Sequence, residues 1–380
     1  MLFNHLIGQQ HIINHLKRTA DTGRIAHAQL FVGANGVGTL AAAIAYAQYI
    51  LCNNDDACNV RVAKLQHPDL HFAFPTAVNE NVKKHPVSKL FLDEWRTFIK
   101  EHPYGSLYQW YQQLGIENKQ GQIGVDEAEE IVKSLKLKSY EGGYKIMIIW
   151  MAEKMNNAAA NKLLKLIEEP PAKTIFLLVV EHPEQLINTI LSRCQILDFP
   201  LLSEENIAEA LIERENSFPA EAQKIAHRAE GSYQKALDLL KSEGNDLEFE
   251  QLFITWVRAA FKAKGNASVI QDLIAWSDTI GAMGREKQKQ FLNFCLQFFR
   301  QALLFNYGAK DLVFYEPQTS GFSIEKFAPF IHSANIEAIN NELNDAIYHI
   351  ERNGNAKLIL LDTSIKLTRL LHAKEQELNS

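Results

Sequence analysis

Two uninterrupted apolar runs constrain this chain most: KIMIIWM at Lys145–Met151 and TIFLLVV at Thr174–Val180. A transmembrane helix needs about 20 apolar residues, so both are too short to span a bilayer. Runs with no polar alternation suit strands buried on both faces, which arise where helices cover both sides of a parallel sheet. A helical stretch fills the gap between them from about Asn157, which can cap it, to Pro170-Pro171, which ends it. Upstream, Gln29–Val32 (QLFV) runs through a glycine-rich turn into Thr39–Leu51, an alanine-rich helical segment. Val125–Lys136 has apolar residues at helical spacing, Glu141-Gly142-Gly143 makes a turn, and Ile196–Phe199 is a last short strand. Strands and helices interleaved in this way predict an α/β fold with a doubly wound parallel sheet.

The strand signal stops near residue 200. Ser203–Glu213, Ala220–Glu230 and Ser232–Lys241 read as three short helices, punctuated by Pro219 and Gly231, and 241–246 reads as a linker. The remainder, with rows such as FLNFCLQFFRQALLF, is helical, and its aromatics read as core. The expected organisation is therefore a sheet domain over 1–200, a helical lid over 201–243 and a helical domain over 244–380. The 380 residues bury real cores and need no disulfide staples. With 39 basic against 45 acidic residues, the net charge is −6, which argues against coating nucleic acid by bulk electrostatics. Four scattered cysteines, Cys52, Cys58, Cys194 and Cys295, read as reduced thiols in a cytosolic protein. The opening residues lack the basic-then-apolar order of a signal peptide, so a soluble, cytoplasmic chain with no membrane partner is expected.

The turn after the first strand, Gly33-Ala-Asn-Gly36-Val-Gly38-Thr39-Leu40, has the position and glycine spacing of a phosphate-cradling loop, GxxxxGK[ST]. Its two chemical side chains are missing. Thr39 stands where a lysine would reach the β/γ-phosphates, and Leu40 where a hydroxyl would hold Mg²⁺. A nucleotide-hydrolysing site also needs acids at the end of a neighbouring strand, one for the metal and one for the attacking water. Here Trp150 and Met151 occupy those positions, and Glu153 lies past the strand end. No bound cofactor is expected. Backbone amides at the helix start could still attract an anion weakly.

Arg193 follows Ser192 and precedes Cys194. By residue type alone it reads equally as an ion-pair partner at a helix end or as a cation for another site. The order of GQQ, HAQLFVGANGVG, SYEGGYKIMII, NKLLKLIEEPP and ILSRCQ resembles bacterial clamp-loader subunits of the AAA+ superfamily over about the first 240 residues. The resemblance implies an AAA+ module, a small helical lid and a helical collar. It also implies a subunit without ATPase activity of its own, in a replicative polymerase assembly whose nucleotidyl transfer resides in other subunits. The implied partners are motor subunits of the gamma/tau type and a delta subunit in a hetero-pentamer, a sliding clamp, and primer-template DNA reached through the assembly. Arg193, supported by Ser192 and Cys194, is then implied to be an arginine finger for a neighbour's ATP. The family's lid arginine falls at Gln234, within Gly231-Ser-Tyr-Gln-Lys-Ala-Leu237, and cannot supply its charge.

Many relatives of this kind bind structural zinc through four cysteines after the glycine-loop helix. Cys52 and Cys58 alone stand there, with His67 and His71 downstream, in a spacing that makes them weak candidates. Cys194 reads as packing, without a nucleophilic role. Lys133, Lys136, Lys138 and Lys145 form a basic strip, with Lys154, Lys162 and Lys165 further on, and read as solvated faces. Two alternatives stand beside a non-catalytic subunit: an AAA+ ATPase with an atypical nucleotide site, and a DNA-binding adaptor. The acidic net charge and the lack of a base-reading motif weigh against the second.

Overall fold

The short apolar runs pair into one sheet. The computed structural model describes residues 2–373 apart from 54, 117–118, 142, 243–245, 265, 314, 316–318 and 353. Among the described residues, the strands are β1 (Ala28–Val32), β2 (Leu70–Ala73), β3 (Lys145–Trp150), β4 (Thr174–Val180) and β5 (Gln195–Asp198). They pair in the order β2-β3-β4-β1-β5, every pair parallel. Every residue of β3 and β4 is buried, as their unbroken hydropathy predicts. β2, only LHFA and interrupted by the half-buried His71, shows no strand period in the sequence.

Helices cover both faces. In the first unit they are α1 (Gln10–Asp21), α2 (Thr39–Cys52), α3 (Asp56–Ala63), α4 (Leu92–Glu101), α5 (Leu107–Leu114), α6 (Val125–Lys136), α7 (Asn157–Glu168), α8 (Asn188–Leu191), α9 (Glu204–Glu215), α10 (Pro219–Arg228) and α11 (Tyr233–Ser242). Because strand side chains alternate, Ile146, Ile148 and Trp150 of β3 join one core with Tyr46, Trp95 and Trp110 of α2, α4 and α5. Met147 and Ile149 join the other with Ile131 of α6 and Leu163 of α7. α7 is capped one residue earlier than expected: the Asn156 side chain accepts the Ala159 N–H at 2.9 Å. Lys145 is not part of a basic strip. It is buried as the first residue of β3, and its ammonium donates to the carbonyls of Leu135 and Leu137 at the end of α6. Lys133 and Lys162 pair with Glu130 and Glu129.

The chain divides into two compact units, Met1–Leu240 and Lys241–Ser380. α9, α10 and α11 as far as Leu240 belong to the first, where Ile207, Leu211 and Ala226 share a cluster with Ile7, Tyr104 and Tyr233. The second unit contains helices Asp246–Ala263, Ile270–Gly281, Arg285–Asn306, Ser333–Glu351 and Ala356–Leu370. Its aromatics are core, as expected: Trp256 stacks on Trp276 at 4.7 Å and donates from Nε1 to Ser364 Oγ at 2.8 Å. The linker expected at 241–246 and the turn at Glu141–Gly143 include residues 243–245 and 142, which lie outside the described residues. Among the described residues no helix is long and apolar enough to cross a membrane.

Trp95 is the hub of the first core, with ring centroids at 4.2 Å from Phe74 and 5.2 Å from both Trp110 and Trp150. Replacing a buried tryptophan by alanine costs roughly 3–5 kcal/mol. Trp95→Ala is expected to lower the stability of the first unit by about that amount in equilibrium urea unfolding; a loss near zero would contradict the packing described.

Candidate functional site

The glycine loop leaves the C-terminal end of β1, where ligands bind in sheets of this kind. The Gly33 N–H donates to the Val180 carbonyl at 3.2 Å, which fixes the loop's root to β4. Gly36 (φ +81°) and Gly38 (φ +94°) adopt left-handed conformations that side chains resist. Close approach also requires glycine at both. A Cβ on Gly36 would collide with Ser232 Oγ, and one on Gly38 would lie 2.7 Å from Tyr104 Cε1. α2 then begins at Thr39, and Thr39 and Leu40 are both buried.

Side chains from elsewhere in the unit close over the loop. The Gly36 carbonyl accepts the Tyr233 N–H at 3.1 Å. Gln234, the position of the expected lid arginine, is buried beside Gly36, and its Nε2 donates to Asp238 at 2.8 Å. Tyr104 accepts the Ile7 N–H at 2.8 Å and meets the Tyr233 ring edge-on at 5.3 Å. Gln9 reaches in from the chain start and donates to the Pro200 carbonyl at 2.7 Å. The space left between the loop, Tyr104, Trp150 and Glu181 is ≈ 20 Å³, about enough for one water molecule.

Trp150 ends β3 with its ring turned into the aromatic core, 5.2 Å from Trp95 and 5.5 Å from Phe98. Met151 follows, buried, with φ +53°. Glu153 is buried as well; its Oε1 accepts the Glu181 N–H at 3.0 Å, and its Oε2 has no hydrogen-bond partner among the described residues. Sequence reasoning missed Glu181. It immediately follows β4, accepts from Asn35 Nδ2 of the loop at 3.1 Å, and lines the small cavity. Burial, reinforced by the charge of Glu153, raises its carboxyl above the usual range, and burial does the same to Glu153. The loop thus faces a buried acidic side chain. Its signal in the sequence was an acid directly after a buried strand.

Arg193 occupies the other end of the sheet. β5 pairs with β1 from Gln29↔Gln195 to Val32↔Asp198, so Arg193 lies level with the residues before β1. At ~3.3 Å per residue along the strands, it stands roughly 20 Å from the loop that follows Val32. Ser192 ends α8 and is exposed. Arg193 donates from Nη1 to the Thr189 carbonyl at 3.0 Å, and its Nε lies 3.3 Å from Glu168 Oε2 without hydrogen-bond alignment. Its side chain keeps 34% of its surface exposed, beside an acid that is itself in water. Such a pair is worth about 0–1 kcal/mol, so releasing the arginine costs little. Cys194 packs against the α6/α7 core, and burial pushes its thiol up to about 11, which makes it a poor nucleophile.

Cys52 and Cys58 correct an expectation. They form a disulfide, with Cα atoms 5.2 Å apart, that ties the end of α2 to α3 in place of two reduced thiols. Cys58, His67 and Glu141 place donor atoms within 4.8 Å of one another, and His71 is not among them. His67 Nδ1 accepts the Asp69 N–H at 3.1 Å, which leaves Nε2 to donate to Glu141 at 3.2 Å; Arg61 pairs with the same carboxylate at 2.6 Å. With both sulfurs bridged and His67 engaged, these residues do not fit a tetrahedral zinc site.

A carboxyl raised by burial holds its proton more tightly in the folded than in the unfolded state. Its favourable contribution is present at low pH and is lost as pH rises from the unfolded carboxylate range through the folded value. Glu181→Gln, which keeps an acceptor for Asn35, is therefore expected to raise the urea midpoint above that of the wild type at pH 8, with the difference fading toward pH 4. A pH-independent difference would show that Glu181 is not held above its ordinary range.

The family described as DNA polymerase III, delta subunit, matches residues 8–203, more than half of the chain. Bacillus subtilis (strain 168) DNA polymerase III subunit delta' is 27% identical over 319 residues, covering 81% of this chain and 81% of that one. The delta' subunit of Escherichia coli (strain K12) is 40% identical over 86 residues, 23% of this chain and 26% of its own. DNA polymerase III subunit tau of Bacillus subtilis (strain 168) is 28% identical over 250 residues, 63% of this chain but only 37% of tau. The chain therefore belongs to the DNA polymerase III delta-subunit family of clamp-loader proteins, and within it to the delta-prime kind.

Proposed function

We propose that this chain is a non-catalytic, stator-like subunit of a clamp loader that helps load a sliding clamp onto primed DNA and lends Arg193 to a neighbouring subunit's ATP site. The observation that carries the reading is the placement of Arg193 across the sheet from its own glycine loop, roughly 20 Å away. An arginine so placed cannot reach a γ-phosphate in its own chain, yet it is partly exposed and weakly held. Beside a neighbour's γ-phosphate, a guanidinium stabilises the charge that develops in phosphoryl transfer.

The loop's own chemistry supports the same reading. It lacks lysine at Thr39, metal-holding side chains at Leu40 and Trp150, a water-orienting acid at Met151 and a lid arginine at Gln234, and the Glu181 side chain occupies the space facing it. An ATPase with an atypical site would have to open the closed cavity and find substitutes for all five. The partners proposed are motor subunits of the gamma/tau type and a delta subunit in a hetero-pentamer, with the clamp and primer-template DNA engaged through the assembly, in the cytoplasm. In this reading the lid begins near residue 201 and the collar near residue 244.

The test is Arg193→Ala in a reconstituted assembly whose motor subunits retain GxxxxGK[ST] loops. Loss of an arginine finger lowers turnover by about 10³- to 10⁵-fold at the site it serves. The ATPase rate assigned to the adjacent site is expected to fall on that scale, while sedimentation shows the assembly intact. Arg193→Lys is expected to recover little, because an ammonium lacks the planar fork. Unchanged turnover, or micromolar Mg-ATP binding with turnover by the isolated chain, would contradict the proposal.

A further inference from the structure

We infer that the second unit carries a docking pocket for an acidic peptide that presents a bulky apolar anchor residue. The pocket is a cavity of ≈ 240 Å³ lined by Val257, Phe261, Phe322, Phe327, Phe330 and Leu371, with Arg258 and Lys262 also lining it. Cavities of about 150 Å³ with apolar walls accept a benzene ring, so this one has room for a phenylalanine or leucine side chain and part of its neighbour. Large rings at its mouth are left in water: Phe261 is 41% exposed and Phe330 38%. Covering them removes apolar surface from water, which favours a bound apolar side chain.

The helix Asp246–Ala263 sets two parallel rows along the pocket. Val257 and Phe261, four residues apart, form the apolar row; Arg258 and Lys262, also four apart, form a cationic row beside it. The rings are held in place. Phe261 stacks against His372 at 4.5 Å and meets Phe330 edge-on at 4.9 Å. Arg258 is positioned by a 3.0 Å hydrogen bond from Nη2 to the Gly321 carbonyl. Neither Arg258 nor Lys262 forms an ion pair with any described residue. Among the described residues, both charges lining the pocket are therefore cations without a counter-charge, set one helical row from an apolar cavity. A purely apolar ligand would leave those cations idle, and a nucleic acid backbone would need a longer basic track than two residues. A short peptide with one buried side chain and flanking carboxylates satisfies both rows.

The probe is a fluorescein-labelled peptide, Glu-Asp-Leu-Phe-Asp-Glu, titrated with the full chain at low salt and read by fluorescence anisotropy. Saturation with a Kd of roughly 10–100 µM is expected. Arg258→Glu with Lys262→Glu, both surface changes, is expected to weaken binding about tenfold or more and to shift preference to a lysine-flanked version of the peptide. Phe261→Ser and a probe with Leu-Phe replaced by Gly-Gly are each expected to abolish saturation, with far-UV circular dichroism showing the protein still folded. No saturation up to about 1 mM, or affinity indifferent to charge reversal, overturns the proposal. So does displacement of the peptide by an equal concentration of single-stranded oligonucleotide, or a dimer that dissociates on Phe261→Ser, which would assign the pocket to a second copy of the chain.

Discussion

The parallel pairing of β1 between β4 and β5 is the constraint on which the first unit depends. It places the C-terminal end of β1 at the crevice where the sheet's connections diverge, and so places the glycine loop there. The same pairing puts the start of β5, and Arg193 just before it, at the opposite end. Parallel strands share one direction, so a residue preceding one strand and a loop following its neighbour cannot meet. The separation of the two features is a property of the topology, and no side-chain rearrangement removes it.

Closure of the loop is built from three places in the sequence. Tyr104 comes from the segment between α4 and α5, Ser232 and Gln234 from the start of α11, and Glu181 from the end of β4. Each occupies space or charge that a nucleotide would require, and each is tied to something else: Tyr104 to Ile7, Gln234 to Asp238, Glu181 to Asn35. The glycines at 36 and 38 are held by crowding from these neighbours as well as by their backbone conformations. Packing and backbone conformation together account for glycine at both positions.

Much of this was legible in the residues because it rests on local signals. Short apolar runs bounded by turn signals suit buried strands, and β3 and β4 are fully buried. What stayed hidden depends on tertiary partners. β2 is too short and too mixed to show a period. Lys145 looks like one more surface lysine until the end of α6 is seen to supply its carbonyl acceptors. Cys52 and Cys58 are six residues apart, which says nothing of pairing until the turn from α2 to α3 brings them together. Tyr104 and Glu181 carry no motif at all, and only the fold brings them to the loop. The pocket beside Phe261 likewise needs segments from around 258, 322–330 and 371, and a helical period alone assigns such rings to the core.

The central claim is a division of labour between a closed loop and an arginine offered outward. The most direct measurement is a structure of the assembled complex with its motor subunits, trapped with Mg-ADP and aluminium fluoride as a mimic of the transferring phosphoryl group. The account predicts the Arg193 guanidinium within about 3 Å of a fluoride in the neighbour's site, released from Glu168, with the chain's own glycine loop still closed beneath Tyr104. Nucleotide bound in that loop, or Arg193 still paired with Glu168 while the neighbour's site is filled, would contradict it.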